Sequence, residues 1–231
     1  MTSLSIAVIV PVGGDEAAPS GVFFERLRTA TPPVSLVAAA DARLRPETRE
    51  AFQHAGATLF TFEEIPRGAR LARAALGSPS SAEIFVFLHV DTILPAGWDG
   101  AARGAIAAGA VGGAFRLGFS NGGWRMSWVA GWANLRNRFT RMPYGDQAPF
   151  MRRDVYEHLG GHRPWPLLED WDLARRLRGE GRVALLPLAV ATSPRRYLER
   201  GVLRTVLKNW KILRKVKRGE SAERLAELYR Q

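Results

Sequence analysis

The sequence predicts an α/β fold built on a Rossmann-like, doubly wound, mostly parallel sheet. Three observations lead there. Short uninterrupted apolar runs rich in β-branched residues alternate with stretches of helix-forming composition, the order that builds a parallel sheet covered on both faces. Three of those runs stop at a glycine pair or an aspartate, where strands of such sheets meet a ligand crevice. The 231 residues, 46% of them hydrophobic, are enough for one core of ordinary size.

The first run, Ser5 to Val12 (SIAVIVPV), reads as a buried strand stopped by Gly13 and Gly14. Val34 to Ala40 (VSLVAAA) repeats the pattern and ends at Asp41, and Pro46 to Ala55 follows as a helix punctuated by Gly56. Ala57 to Phe62 is a third strand and Arg67 to Leu76 a second helix. Ile84 to Val90 (IFVFLHV) is the most apolar strand and runs directly into Asp91. The second half is less regular: a Gly-rich strand at Gly109 to Phe119, an aromatic segment with Trp124, Trp128 and Trp132, the stretch Tyr144 to Arg152, and a helix opening near Glu169. No internal repeat and no linker is visible.

The net charge of +11 is unevenly spread. From Pro194 onward there are twelve Lys and Arg against four Glu, a net of +8, leaving +3 for the rest. Within this tail Val202, Leu203, Val206, Leu207, Trp210, Leu213 and Val216 recur at helical spacing, while Arg204, Lys208, Lys211, Arg214, Lys215 and Lys217 fill the other positions. The pattern predicts a C-terminal amphipathic helical tail. Its apolar stripe either docks on the body of the protein or lies on an anionic membrane surface, with Trp210 at the interface. Zinc-finger spacing, a basic heptad region and an aromatic RNA-binding signature are all missing, so a nucleic-acid partner is not expected. Without cysteine there is no disulfide framework, thiolate metal site or cysteine nucleophile. No window approaches the roughly 18 apolar residues of a membrane span, and Ile6 to Val12 lacks the charged flank of a signal peptide. A cytoplasmic location is the expectation.

Several residues carry candidate chemistry. A carboxylate following a buried strand is costly unless paired or metal-bound, and hard divalent cations take oxygen ligands beside substrate phosphates. Asp91 in LHVDT suits that role, against the plainer one of capping Thr92 and Ile93. Glu169 and Asp170 open an amphipathic helix, where first-turn acids are stabilised by the helix dipole. Either carboxylate, held at a crevice, suits general-base work on a hydroxyl. Tyr144-Gly145-Asp146-Gln147 reads as a tight turn presenting polar side chains. Arg67 and Arg70, at the start of a helix, suit contact with a diphosphate or simple solvation.

In this order, the strand ending at Asp41, Arg67-Gly68, Leu88-His89-Val90-Asp91-Thr92, Tyr144-Gly145-Asp146-Gln147, Glu169-Asp170 and Arg195-Arg196 resemble the family-two glycosyltransferases of GT-A fold. Within them the chain looks most like the bacterial subgroup associated with radical-SAM and selenium-related genes. The resemblance runs from about Ser5 to Tyr229, with His89-Val90-Asp91 standing where the family carries Asp-x-Asp.

The resemblance implies an inverting transfer of sugar from a UDP- or GDP-linked nucleotide sugar to an acceptor hydroxyl. Asp41 would contact base or ribose, Arg67 and Arg70 the donor, and Asp91 would hold Mg²⁺ or Mn²⁺. Asp170 would be the general base beside Glu169, with Asp146, Gln147 and Trp171 in the donor-sugar or acceptor pocket. It divides the chain into a transferase domain at 1–193, with a nucleotide-binding half at 1–95 and an acceptor-side half at 96–193, and a basic tail at 194–231. The helix at 200–218 would bring an anionic membrane and a lipid-linked acceptor as partners. The competing reading is a catalytically degenerate domain of this fold that binds membrane or nucleic acid through its tail. A nucleotidyltransferase or dehydrogenase ranks below both, because no P-loop or Gly-x-Gly-x-x-Gly follows any strand.

Overall fold

The computed structural model describes residues 3–218, 220–221 and 224–225, with positions 196, 200, 202, 203, 205, 206, 209, 210 and 217 described in their backbone alone. Strand β1 (Ile6–Val12) is buried at every position, as an unbroken apolar run requires, because only a strand covered on both faces places apolar side chains alternately up and down. Helix α1 (Gly21–Arg28) follows, capped by the Ser20 hydroxyl, which accepts from the Phe23 N–H at 3.4 Å. The sequence pattern predicts no element here.

Next come β2 (Ser35–Asp41), α2 (Pro46–His54), β3 (Thr58–Phe62), α3 (Arg67–Leu76) and β4 (Ile84–Phe87), each within a residue or two of expectation except the last. β4 stops three residues early. The chain turns there, the Thr92 N–H donating to the His89 carbonyl at 3.1 Å, so Asp91 sits on a turn beyond the strand.

The second half contains β5 (Thr92–Ile93), α4 (Trp98–Ala107), β6 (Gly112–Arg116), α5 (Gly123–Thr140), a 3-10 turn at Gly145–Gln147 and β7 (Phe150–Arg152). It ends with α6 (Arg153–His158), α7 (Glu169–Glu180), β8 (Val183–Ala189), β9 (Ala191–Thr192), α8 (Arg195–Arg200) and α9 (Val202–Lys217). The strand expected over Gly109 to Phe119 is the shorter β6, and the aromatic segment is part of α5.

The seven-stranded sheet has the order β3-β2-β1-β4-β7-β6-β8. The first four strands are parallel, as are β6 and β8, while β7 runs antiparallel to both its neighbours. β5 and β9 form a small antiparallel ribbon pairing Thr92 with Thr192. One face of the sheet packs Val8 and Val10 against Phe23, Phe24 and Phe52, and the other packs Ala7 and Ile9 against Leu71, Ala74 and Ala75.

In the tail the expected stripe is altered. Ile212, which was not assigned to it, is buried, whereas Leu207 is 47% exposed and Leu213 and Val216 are half-buried. The side chains of Val202, Leu203, Val206 and Trp210 lie outside the described residues. The Tyr197 ring of α8 packs edge-on against Phe119 at 5.6 Å. No described helix is long and apolar enough to cross a membrane.

Candidate functional site

The carboxyl ends of β1, β2 and β4 open towards the start of α7, and charged groups converge in the crevice between them. At its centre is Arg67, the first residue of α3. One guanidinium nitrogen lies 2.9 Å from a Glu169 carboxylate oxygen and another 2.7 Å from His89 Nε2. A guanidinium can only donate, so His89 Nε2 is the acceptor and the ring is neutral, with its proton on Nδ1. Burial by itself would lower the Arg67 pKa, but Glu169, Asp170, Glu16 and Asp91 together outweigh it and raise it. Four carboxylates therefore act on one cation.

Gly68 fixes the position of Arg67. Its N–H donates to the Trp165 carbonyl at 3.1 Å, and a Cβ there would lie 2.0 Å from the Arg163 carbonyl oxygen. The loop before α7 thus rests directly on the α3 backbone, and no side chain fits between. Glu169 is 1% exposed, and burial raises its pKa, with Arg67 offsetting part of the effect. Such a buried, ion-paired group positions Arg67. It lines the same pocket as Arg67, His89 and Asp170.

Asp170 is half-buried beside it. One of its oxygens accepts the Gly145 N–H at 2.6 Å and the other the Trp171 N–H at 2.7 Å. Each oxygen keeps a further lone pair, so the carboxylate is oriented yet able to accept a proton. Gly145 lets both groups close in, because a Cβ there would meet His89 Nε2 at 2.7 Å and the Asp170 Oδ2 at 2.8 Å and push these side chains aside.

On the strand side, the Asp41 carboxylate accepts from the Arg43 N–H at 3.0 Å and from the Arg43 guanidinium at 3.2 Å, and lies 3.6 Å from Arg70. The Arg43 backbone N–H first, then the Arg43 and Arg70 cations, hold it below the usual carboxylate range. Arg70 also donates to the Val12 carbonyl at 3.1 Å, bracing the ends of β1 and β2 against each other. Asp91 is exposed, and the Thr92 hydroxyl reaches its Oδ1 at only 3.5 Å. It makes no backbone cap, so the plainer reading of this aspartate fails.

Among the described residues no group of three ligating side chains could hold a metal. Asp91 offers a single exposed carboxylate, which fits Mg²⁺ or Mn²⁺ held jointly with substrate phosphates and not a site enclosed by protein.

The structure brings Arg67, Asp91, Glu169 and Asp170 together, with Asp41 and Arg70 alongside. Asp146 is half-buried on the 3-10 turn next to Gly145. Gln147 is not in the pocket: it is 1% exposed, its amide N–H donates to the Phe115 carbonyl at 3.0 Å, and its Oε1 accepts from Asn137 and from the Tyr144 N–H. Every polar atom is spent on the fold. Trp171 likewise packs into the protein, beneath Arg175. Sequence reading missed Glu16, whose carboxylate accepts the Gly13 N–H at 2.7 Å and whose pKa is raised by burial and, more weakly, by Asp91. The signal was an acid three residues past the strand-ending glycine. His89 is a packed, hydrogen-bonded residue that accepts from Arg67 and lies against the Gly145 turn.

No protein-family model and no curated protein matches the chain. Solved structures do share its fold. TarS residues 1–349 from S. aureus align with a TM-score of 0.55 at 14% identity, over 89% of this chain and 65% of that one. Glucosyl-3-phosphoglycerate synthase from Mycobacterium tuberculosis, in complex with Mn²⁺, uridine diphosphate and phosphoglyceric acid, aligns at 0.54 and 16% identity over 82% and 70%. A cytidylyltransferase from Leptospira borgpetersenii aligns at 0.52 and 12% identity over 80% and 76%. At these identities the likeness is one of architecture: a GT-A, Rossmann-like sheet, of which this chain spans 65% of the length in the first case.

Proposed function

We propose that the chain is an inverting, nucleotide-sugar-dependent glycosyltransferase of the family-two type, within the radical-SAM-associated subgroup that its motif order resembles. One observation carries the reading: an exposed aspartate, Asp91, and an oriented one, Asp170, act on the same central cation, Arg67, at the carboxyl ends of a GT-A sheet. The glucosyl-3-phosphoglycerate synthase of the same fold, solved with Mn²⁺ and uridine diphosphate, supports it.

In this reading the acceptor oxygen attacks the anomeric carbon as the bond to the nucleoside diphosphate breaks, and its proton passes to an Asp170 oxygen. Asp91 would hold Mg²⁺ or Mn²⁺ together with the donor diphosphate, and the ion would supply neutralisation of the charge on the departing group. Asp41 and the β1–β2 ends receive the nucleoside, with Asp146 towards the sugar. Residues 1–193 are the transferase domain and 194–231 the tail, whose helix at 200–218 would bring the enzyme to an anionic membrane bearing a lipid-linked acceptor, on its cytoplasmic face.

Calorimetry with UDP and GDP in Mn²⁺ tests the core of this. Asp91→Asn should weaken nucleotide binding by at least about tenfold, the loss of one charged ligand, and an unchanged affinity removes Asp91 from the metal site. The cytidylyltransferase neighbour favours a second reading, nucleotidyl transfer. It predicts binding of a nucleoside triphosphate and release of pyrophosphate, where glycosyl transfer releases a nucleoside diphosphate.

A further inference from the structure

Helix α5 has two faces of opposite character. Its inner face is anchored: Met126, Ala130 and Asn137 are buried, and Asn134 both accepts the Leu117 N–H at 2.8 Å and donates to the Leu117 carbonyl at 3.0 Å. Its outer face carries Trp124, Trp128, Trp132, Leu135 and Phe139, between 48% and 79% exposed. At roughly 3.6 residues per turn these five side chains fall within an arc of about 80°. Exposed large apolar groups gathered in one continuous stripe mark a binding surface, unlike the same groups scattered singly.

Charge identifies the partner. From position 100 to position 145 the chain contains no Asp or Glu, while Arg125, Arg136, Arg138 and Arg141 lie on or just beyond α5. Arg125 and Arg138 are exposed and flank the stripe on its two sides. A shallow groove at the end of the helix is lined by Arg138, Arg141 and Arg182. We propose that the outer face of α5 docks on an anionic membrane surface, the aromatic rings entering the headgroup region and the arginines meeting lipid phosphates.

Tryptophan belongs at that depth because its ring is apolar and its N–H is not, and arginine flanking an apolar stripe is the pattern of a helix lying in the interface plane. A second copy of the chain is a poor occupant, since a two-fold contact through this stripe sets rows of arginine against each other. Nucleic acid is a poor one too, because the rings stand on a convex helix and line no groove. The surface is separate from the basic tail and does not depend on the transfer reaction. Its inner face nonetheless leads into the crevice, as Arg136 stacks on the Tyr144 ring at 3.8 Å beside Gly145.

Co-sedimentation of the full chain with phosphatidylglycerol or phosphatidylcholine vesicles at low salt tests the proposal. The partition onto anionic vesicles should exceed that onto neutral ones at least tenfold, and brominated anionic lipid should quench tryptophan emission. A variant combining Trp124→Ser, Trp128→Ser and Trp132→Ser, shown by its melting temperature to be folded, should lose at least tenfold in partition. Arg28→Glu, replacing an exposed cation on α1 away from both α5 and the tail, should change it less than twofold. Failure of the full chain to sediment, equal binding by the triple variant, a dimer dispersed by the triple variant, or retention on an oligonucleotide but not on vesicles each overturns it.

Discussion

The strand side of the crevice and its α7 side are both acidic, yet they hold their carboxylates differently. At the strand ends Asp91 is exposed, and Asp41 shares its charge with Arg43 and Arg70 at the protein surface. At the α7 side Asp172 is wholly buried, with Arg176 at 2.8 Å, Arg163 at 3.5 Å and Arg175 at 3.8 Å, and Arg176 also donates to the Leu159 and Gly161 carbonyls at 2.7 and 2.8 Å. The first side leaves the Asp91 charge exposed and available to a ligand. The second spends charge on holding the loop at 159–165 against α3, and that loop in turn sets Arg67. Asp170 belongs to α7 but is tied only by backbone N–H groups, so it alone on that side is both fixed and reactive.

The largest expected effect breaks the clamp. Asp172→Asn removes the buried charge and strands Arg176, which should cost about 3–5 kcal/mol of stability, measured by urea denaturation. Asp91→Asn, on the strand side, should stay within about 0.5 kcal/mol as an exposed substitution. If the two cost the same, the contrast between the sides is wrong.

Next comes Asp170→Asn, for which turnover should fall on the order of 10²-fold or more while nucleotide affinity persists. Asn keeps an oxygen for the Gly145 N–H, so single-turnover rates unchanged from the parent would reduce Asp170 to a helix-opening residue.

These contrasts bear on what the sequence makes legible. β1, β2, α2, β3 and α3 were readable because each is a local pattern: a continuous apolar run or a helical stretch closed by glycine. The length of β4 was not, since the turn that ends it lies inside an equally apolar string, and the three-residue β7, inserted antiparallel between β4 and β6, has too little sequence to show a period. In the crevice, Asp41, Asp91 and Asp170 stand out in the sequence by their positions after a strand or at the opening of a helix. Glu16, the His89 contact and the internal role of Gln147 depend on partners 10 to 51 residues away in the chain, such as Arg67 and Asn137, that only folding reveals.

A smaller effect sharpens the role of the loop. Gly68→Ala places a methyl group 2.0 Å from a backbone oxygen that no side-chain motion can clear, so loop or helix must shift, at about 1–3 kcal/mol for overpacking. Because Arg67 moves with it, nucleotide affinity should fall as well. A stable variant with parental affinity would show the contact to be slack.

The smallest effect is a pH dependence confined to the clamp. His162 is buried, its Nδ1 lies in hydrogen-bond contact with the Tyr156 hydroxyl at 3.0 Å, and its ring meets Phe87 edge-on at 4.6 Å. Burial first, and then the Arg67 and Arg176 cations, push its pKa down to about 3. In the unfolded chain the imidazole titrates near 6.5. Between those values the unfolded state binds a proton that the folded state refuses, so the contribution of His162 is intact above about pH 6.5 and declines as pH falls towards 3. From pH 7 to pH 5.5 the loss should be about 1 kcal/mol, and His162→Gln should abolish that part of the slope whatever its own cost. Glu16 and Glu169, whose pKa values are raised, act with the opposite sign at lower pH, so the difference between parent and variant is the quantity to read. Amide exchange should localise the acid effect to 159–165 and α7 and leave the strand side protected. Equal loosening of β1 and β2 would mean that the two sides of the crevice unfold as one.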